Sequence, residues 1–175
     1  MASKTTETIS KKVRQAFEFQ QKTDVWIGIG RTTAWDDEEN APDPSNAALA
    51  LDEIVGLVKP ASLQMVVPAT DGEIEMFAQK FHALTPPYDI DTLIAAGARW
   101  VYVPAWLMYD QFPVVAYRQE GVYSGVVPAA GAPPGAVVLL PAQVDSYGQL
   151  EALTNREKIQ RRVDQKELVE FIIEF

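Results

Sequence analysis

The stretch Trp26-Ile-Gly-Ile-Gly-Arg-Thr-Thr-Ala-Trp35, running straight into Asp36-Asp-Glu-Glu-Asn-Ala-Pro-Asp-Pro44, constrains this chain more than any other: a strand has to break abruptly into a rigid acidic loop. Alternation places Val25, Ile27 and Ile29 on one face and Trp26, Gly28 and Gly30 on the other. The glycines leave the second face bare beside Trp26, so a backbone or a large side chain from elsewhere can approach closely. Beyond Trp35 the prolines fix φ, the acids repel one another and no hydrophobic period survives, which predicts an ordered surface loop or an arm.

Elsewhere the periodicities switch repeatedly. A helix is predicted over about Thr6 to Gln21, with Ile9, Val13, Ala16, Phe17 and Gln20 on one stripe and Lys11, Lys12 and Arg14 facing away. A second is expected from Ser45, a good N-cap after Pro44, through Leu51, Ile54, Val55 and Val58. Leu63 to Val67 reads as strand. From Asp71, the spacing of Ile74, Phe77, Ala78, Phe81 and Leu84 predicts a helix stopped by Pro86-Pro87, and a short one follows over about Asp89 to Ala96, ended by Gly97. Strands are expected at Trp100 to Val103, Val114 to Arg118, Gly121 to Val127, Ala136 to Leu140, Leu150 to Thr154 and Leu168 to Phe175. Pro128-Ala-Ala-Gly-Ala-Pro-Pro-Gly135 can be neither helical nor laddered and reads as a tip or docking arm. The class is α+β: a mixed, mostly antiparallel β framework with an N-terminal helix and a helical insertion, the first and last strands sharing a sheet.

A length of 175 residues suits one domain over 1–175, with room for a small helical lobe at 71–97. The 47% hydrophobic content supports a packed core. With no cysteine, disulfides and thiolate metal sites are excluded, which fits a reducing cytoplasm. Met1 to Thr8 lacks a leader's apolar segment and no run approaches the ~18 apolar residues of a membrane span, so a soluble, unexported chain is expected. The net charge of −9 is repelled by phosphate backbones, which argues against nucleic acid as partner.

Chemical sites fare poorly. The acids Asp36, Asp37, Glu38, Glu39 and Asp43 lack the glycine and the bidentate glutamate of a calcium-binding EF-hand loop. Gly28-Ile-Gly30 has Thr33 where a dinucleotide fingerprint needs its third glycine. The lone His82 has neither a nucleophile elbow nor a cysteine to serve. Carboxylates such as Glu73, Glu75 and Asp110 would act on a glycosidic bond only at the right spatial separation. No catalytic residue, metal or cofactor is therefore expected. The four tryptophans and the tyrosines at 88, 102, 109, 117 and 123 suit core or interface anchoring, with a sugar-stacking surface as the alternative. Trp35, inside a polar loop, is expected to be the most exposed. Tyr117-Arg118-Gln119 and Asn155-Arg156 suit bidentate bonding, either within the chain or to a neighbouring subunit. The basic residues Arg156, Lys158, Arg161 and Arg162 offer a receptor for the acidic loop of an adjacent copy.

The opening motif, aromatic-x-Gly-x-Gly-Arg-Thr-x-x-Trp with its acidic, proline-containing loop, resembles tail and baseplate wedge proteins of contractile-tailed bacteriophages, a group that includes the dimeric wedge subunit of T4-like phages. Val115-Ala-Tyr-Arg-Gln-Glu-Gly-Val-Tyr123, and Gly148-Gln-Leu-Glu-Ala-Leu-Thr-Asn-Arg156 with Arg161-Arg-Val-Asp-Gln165, are similar too. These stretches cover under half of the chain, and the T4-like wedge subunit is much longer. The resemblance implies a non-enzymatic virion component of the baseplate wedge or neck, made in the host cytoplasm, present in several copies or as a homo-oligomer, and docked on other tail proteins. Trp26, Arg31, Trp35, Asp36, Asp37, Arg118, Asn155 and Arg156 are the candidate interface residues, together with the chain ends. The runner-up is a carbohydrate-binding module or a tail-associated glycan hydrolase acting on the host envelope; a cytoplasmic assembly chaperone is a third reading.

Overall fold

The computed structural model describes residues 5–175. In chain order the elements are α1 (Ile9–Gln20), β1 (Trp26–Gly30), β2 (Gly56–Val58), β3 (Gln64–Pro68), β4 (Ile74–Met76), β5 (Gln79–Ala83), α2 (Ile90–Ala96), β6 (Trp100–Leu107) and β7 (Ala116–Ser124). Then come β8 (Val127–Pro128), β9 (Val138–Leu139), a 3-10 turn at Pro141–Gln143, β10 (Val144–Ser146), β11 (Gln149–Gln160) and β12 (Glu167–Glu174). The class is α+β, and every strand pair whose register is resolved is antiparallel.

Two compact units divide the chain: Met1–Lys22, Ser62–Val103 and Glu170–Phe175 form the first, Thr23–Ala61 and Pro104–Val169 the second. In the first unit α1 starts where Thr8 accepts the Lys11 amide at 3.3 Å and buries Val13, Ala16 and Phe19. Val13 and Ala16 of the expected stripe are buried, but Ile9 is exposed and Phe19, outside that stripe, turns inward instead. The sheet has strand order β12-β6-β3-β5-β4. Helix α2 is capped by Asp89 on the Thr92 amide and closes at Gly97, whose left-handed φ of 63° suits glycine. The C-terminal end is tied down inside this unit: Phe175 donates its amide to the Arg99 carbonyl and packs its ring 5.3 Å from Phe19. At the other end, Met1–Lys4 fall outside the described residues.

The second unit is built on the order β11-β7-β1-β2-β9, with β8 and β10 paired separately. Its core gathers Trp26, Leu51, Leu57, Tyr123, Val126 and Leu139. The bare face predicted beside Trp26 is filled. Gly28 of β1 lies opposite Gly121 of β7, and a Cβ on Gly28 would come within 3.0 Å of Leu57, 3.1 Å of Tyr123 and 3.3 Å of Leu51. The paired glycines thus make a trough for Leu51, whose amide donates to the Tyr123 hydroxyl at 2.7 Å.

Several expected elements are corrected. The helix over 71–84 is the β4–β5 hairpin, and of the helical insertion only α2 is helical. Ile74, Phe77 and Phe81 fit a helical period, but cross-strand bonds decide: the Glu73 carboxylate accepts the Ala83 amide at 2.7 Å and bonds His82, stapling the hairpin base. The helix from Ser45 is absent; Ser45 caps only a local turn, accepting the Ala47 amide at 3.2 Å, because Leu51 is drawn into the glycine trough. The strands at 114–118 and 121–127 merge into β7 as far as Ser124, since Gly121 is a packing site and not a break, and Val127 passes to β8. β6 and β11 run further than predicted, to Leu107 and Gln160, whereas β9 is shorter. The first and last strands, β1 and β12, belong to different sheets.

Candidate docking surface

The acidic loop leaves β1 through Arg31, which adopts a φ of 55° and donates its amide to the Asp52 carbonyl at 2.6 Å. Its guanidinium pairs with Asp52 at 2.8 Å and lies 3.7 Å above the Trp35 ring. Nearby, the Glu53 carboxylate accepts from the Thr33 amide at 2.8 Å and hydroxyl at 2.7 Å, bonds that hold it below the ordinary glutamate range. The two ends of the 31–55 excursion are therefore latched to each other before the sheet takes part.

Contrary to expectation, Trp35 is not exposed: it is 9% accessible, and its indole N–H donates to the Arg156 carbonyl of β11 at 2.9 Å. A polar neighbourhood in sequence does not prevent burial once a sheet edge supplies an acceptor for the indole. Glu38, a member of the acidic run, is the fulcrum. Its carboxylate accepts the Trp35 amide at 3.0 Å and the Arg118 Nε–H at 2.8 Å. Arg118 itself is buried and also reaches the Thr32 carbonyl at 2.7 Å. A buried guanidinium satisfied by a carboxylate and a carbonyl holds its partners far more firmly than a surface ion pair would.

Asn155 completes the clasp, donating to the Pro42 carbonyl at 2.9 Å while accepting from Gln119 at 2.9 Å. Gln119 in turn accepts the Asp52 amide at 2.7 Å. Arg156 pairs with Glu120, which is almost wholly buried; burial pushes this carboxyl up, and the Arg156 charge pulls it back down. The Tyr117 hydroxyl lies between Glu120 at 3.3 Å and Glu167 at 3.1 Å, and burial raises its pKa. Arg161, 1% accessible, reaches Glu167 at 3.2 Å and the Met108 carbonyl at 2.7 Å.

The structure thus gathers Arg31, Trp35, Arg118, Asn155 and Arg156 into one clasp, while Trp26 stays apart in the core with Lys59 4.6 Å over its ring. Asp36 and Asp37 stand at the exposed rim, and a hollow of about 350 Å³ lies among Arg31, Trp35, Asp36, Asp37, Asn40 and Pro42. Of the basic residues at 156–162, Arg156 and Arg161 are engaged within the chain. Sequence reasoning missed Glu38 as the partner of Arg118 and Glu120 as a buried charge; the only advance signal was a set of acids in a chain whose arginines need partners. Chemically, the arrangement positions a fixed acidic rim. Among the described residues no group of three or more potential ligands is arranged to hold a metal ion, and no helix is long and apolar enough to cross a membrane.

Comparison with known proteins gives the family. A family model described as baseplate wedge 3 tail fiber network component matches residues 1–175. Virion protein 3 of Enterococcus phage phiEF24C is 28% identical over 161 residues, covering 90% of this chain and 87% of the relative. The chain accordingly belongs to the baseplate wedge 3 tail fiber network component family and is a structural component of a bacteriophage tail.

Proposed function

We propose that this subunit works without chemistry of its own, by docking other tail proteins through the rim of the 31–44 loop. The observation that carries this reading is the clamp: Arg118, Trp35 and Asn155 fix a loop whose Asp36, Asp37, Glu39 and Asp43 project into solvent. A loop held before binding loses little conformational entropy on docking, so its contacts contribute more of their energy to affinity. The exposed acids supply register and steering towards a basic partner surface, and symmetric repetition multiplies each weak contact. Several copies per particle, assembled in the host cytoplasm, and no part for nucleic acid or membrane belong to the same reading.

Charge reversal at the rim tests it. The double variant Asp36→Lys with Glu39→Lys spares Glu38 and the Asp37 turn, so the isolated protein keeps its melting temperature. Its incorporation into tails, measured by complementing a phage that lacks the gene, should fall and lose its dependence on salt. Incorporation at the level of the unaltered protein, with the same salt response, would remove the rim from the assembly.

A further inference from the structure

Non-glycine residues occupy positive φ at Arg31 (55°), Glu53 (45°), Phe77 (53°) and Ala78 (60°). Side chains of L-residues resist this region, and such strain persists only where something else is gained. For Arg31 and Glu53 the gain is internal: one guanidinium clasps Asp52 and Trp35, and one carboxylate takes two bonds from Thr33. Phe77 has no comparable return, since it is 83% exposed.

Phe77 and Ala78 form the two-residue connection of the β4–β5 hairpin, between Met76 and Gln79, which face each other in register. Positive φ at both central positions marks the turn type that Asn-Gly or Gly-Gly adopts with least strain. Here the tip carries a phenylalanine instead. A lone exposed apolar side chain is ordinary. Its coincidence with two consecutive strained residues is not.

We infer that the Phe77-Ala78 tip is a second docking point, an aromatic plug for an apolar pocket rimmed by basic side chains on a different protein of the tail. The inference rests on reading the chain as a docking subunit. Charge selects the partner. On the hairpin and its approach Glu75 stands opposite Lys80 and Glu73 is tied to His82, while Asp71 adds a further exposed acid, so an acidic excess remains. A second copy of this chain would bring the same acidic excess against itself, which disfavours self-pairing. Beside the tip, an open hollow of about 510 Å³ lined by Pro68, Ala69, Thr70, Glu75, Ala78 and Lys80 leaves room for the lip of the receiving pocket.

The double variant Phe77→Asn with Ala78→Gly separates strain from function. Relief of the turn should raise the melting temperature of the isolated protein by ~3 °C. Incorporation into tails, in the same complementation assay, should nevertheless drop about tenfold, as loss of one buried aromatic anchor implies. In parallel, a photoreactive phenylalanine analogue at position 77 is illuminated in assembled particles, and adducts are identified by mass spectrometry. An adduct with another tail protein, at an apolar site flanked by lysine or arginine, is the expected result. Normal incorporation of the double variant, an adduct only with a second copy of this chain, or no adduct in intact particles would each overturn the inference. If the rim variant Asp36→Lys with Glu39→Lys still fails to incorporate in that case, docking through the 31–44 loop survives without the tip; if it incorporates too, both readings fall together.

Discussion

The excursion at 31–55 and the hairpin at 71–84 divide the labour of this protein in opposite ways. The first is polar, proline-containing and almost free of regular structure, yet it is bound at every few residues: Arg31 to Asp52, Trp35 to Arg156, Glu38 to Arg118, Asn155 to Pro42 and Leu51 to Tyr123. The second has regular strands and a stapled base, yet its apex carries an aromatic ring in solvent and a backbone under strain. Regularity and tightness are separate properties. What decides how firmly a segment is held is the supply of partners across the sheet, and β7 and β11 supply them to the excursion whereas nothing described does so at the hairpin tip.

Removing the anchor of the excursion should have the largest effect. Trp35→Ala deletes a buried indole and frees the Arg156 carbonyl, so we expect a loss of about 3 kcal/mol and a melting temperature lower by some 6–12 °C. A change within about 1 °C would mean that the excursion is loosely held after all and would erase the contrast with the hairpin.

Arg156→Ala comes next and carries a pH signature. It leaves the buried Glu120 without its cation, at a cost of about 2 kcal/mol at pH 8; the usual penalty for breaking a buried pair is discounted because the Arg156 side chain is 39% accessible. The Glu120 carboxyl, raised by burial even in the intact protein, rises further without the arginine. A raised acid favours the folded state below its unfolded value and loses that advantage as pH climbs through the folded one. The deficit should therefore shrink as pH falls towards 5 in denaturant melts. A deficit independent of pH would show that Arg156 acts by packing alone.

The smallest effect is expected at the hairpin base. Glu73 is held down to about 2, first by the Ala83 amide and then by His82, while His82 is raised by Glu73. The depressed acid contributes above its ordinary 4.5 and fades as pH falls towards 2; the raised histidine contributes below 6.5 and fades as pH climbs through its folded value. Both contributions coexist between those ordinary values. Both groups are exposed, so Glu73→Gln should leave the melting temperature nearly unchanged. It should move the His82 titration, followed by NMR, down towards 6.5. An unmoved titration would detach the histidine from the staple.

What the sequence discloses follows the range of the forces involved. Helix α1 with Val13 and Ala16 inward, α2 between Asp89 and Gly97, and β1 with its bare glycine face depend on neighbours a few residues away and were legible, whereas the burial of Phe19 depends on Phe175. Trp35 was not, because the acceptor that buries it is 121 residues further on. The hairpin escaped for a related reason. Ile74, Phe77, Phe81 and Leu84 satisfy a helical spacing, and only the pairing of Ile74 with Phe81 and Met76 with Gln79 excludes it. In the clasp, Arg118, Asn155 and Arg156 could be singled out as bonding groups, whereas their partners Glu38, Pro42 and Glu120 are fixed by register alone.

The tie between Phe175 and the Phe19–Arg99 region has a temporal side. During translation α1 leaves the ribosome well before Phe175, the residue that shelters one side of Phe19. Until β12 and this residue emerge, the first unit waits with an aromatic socket open and its sheet short of an outer strand. A Phe175→Ala change would leave that socket open for good, so the order of a helix near one end of the fold is settled by a side chain that appears most of a chain later.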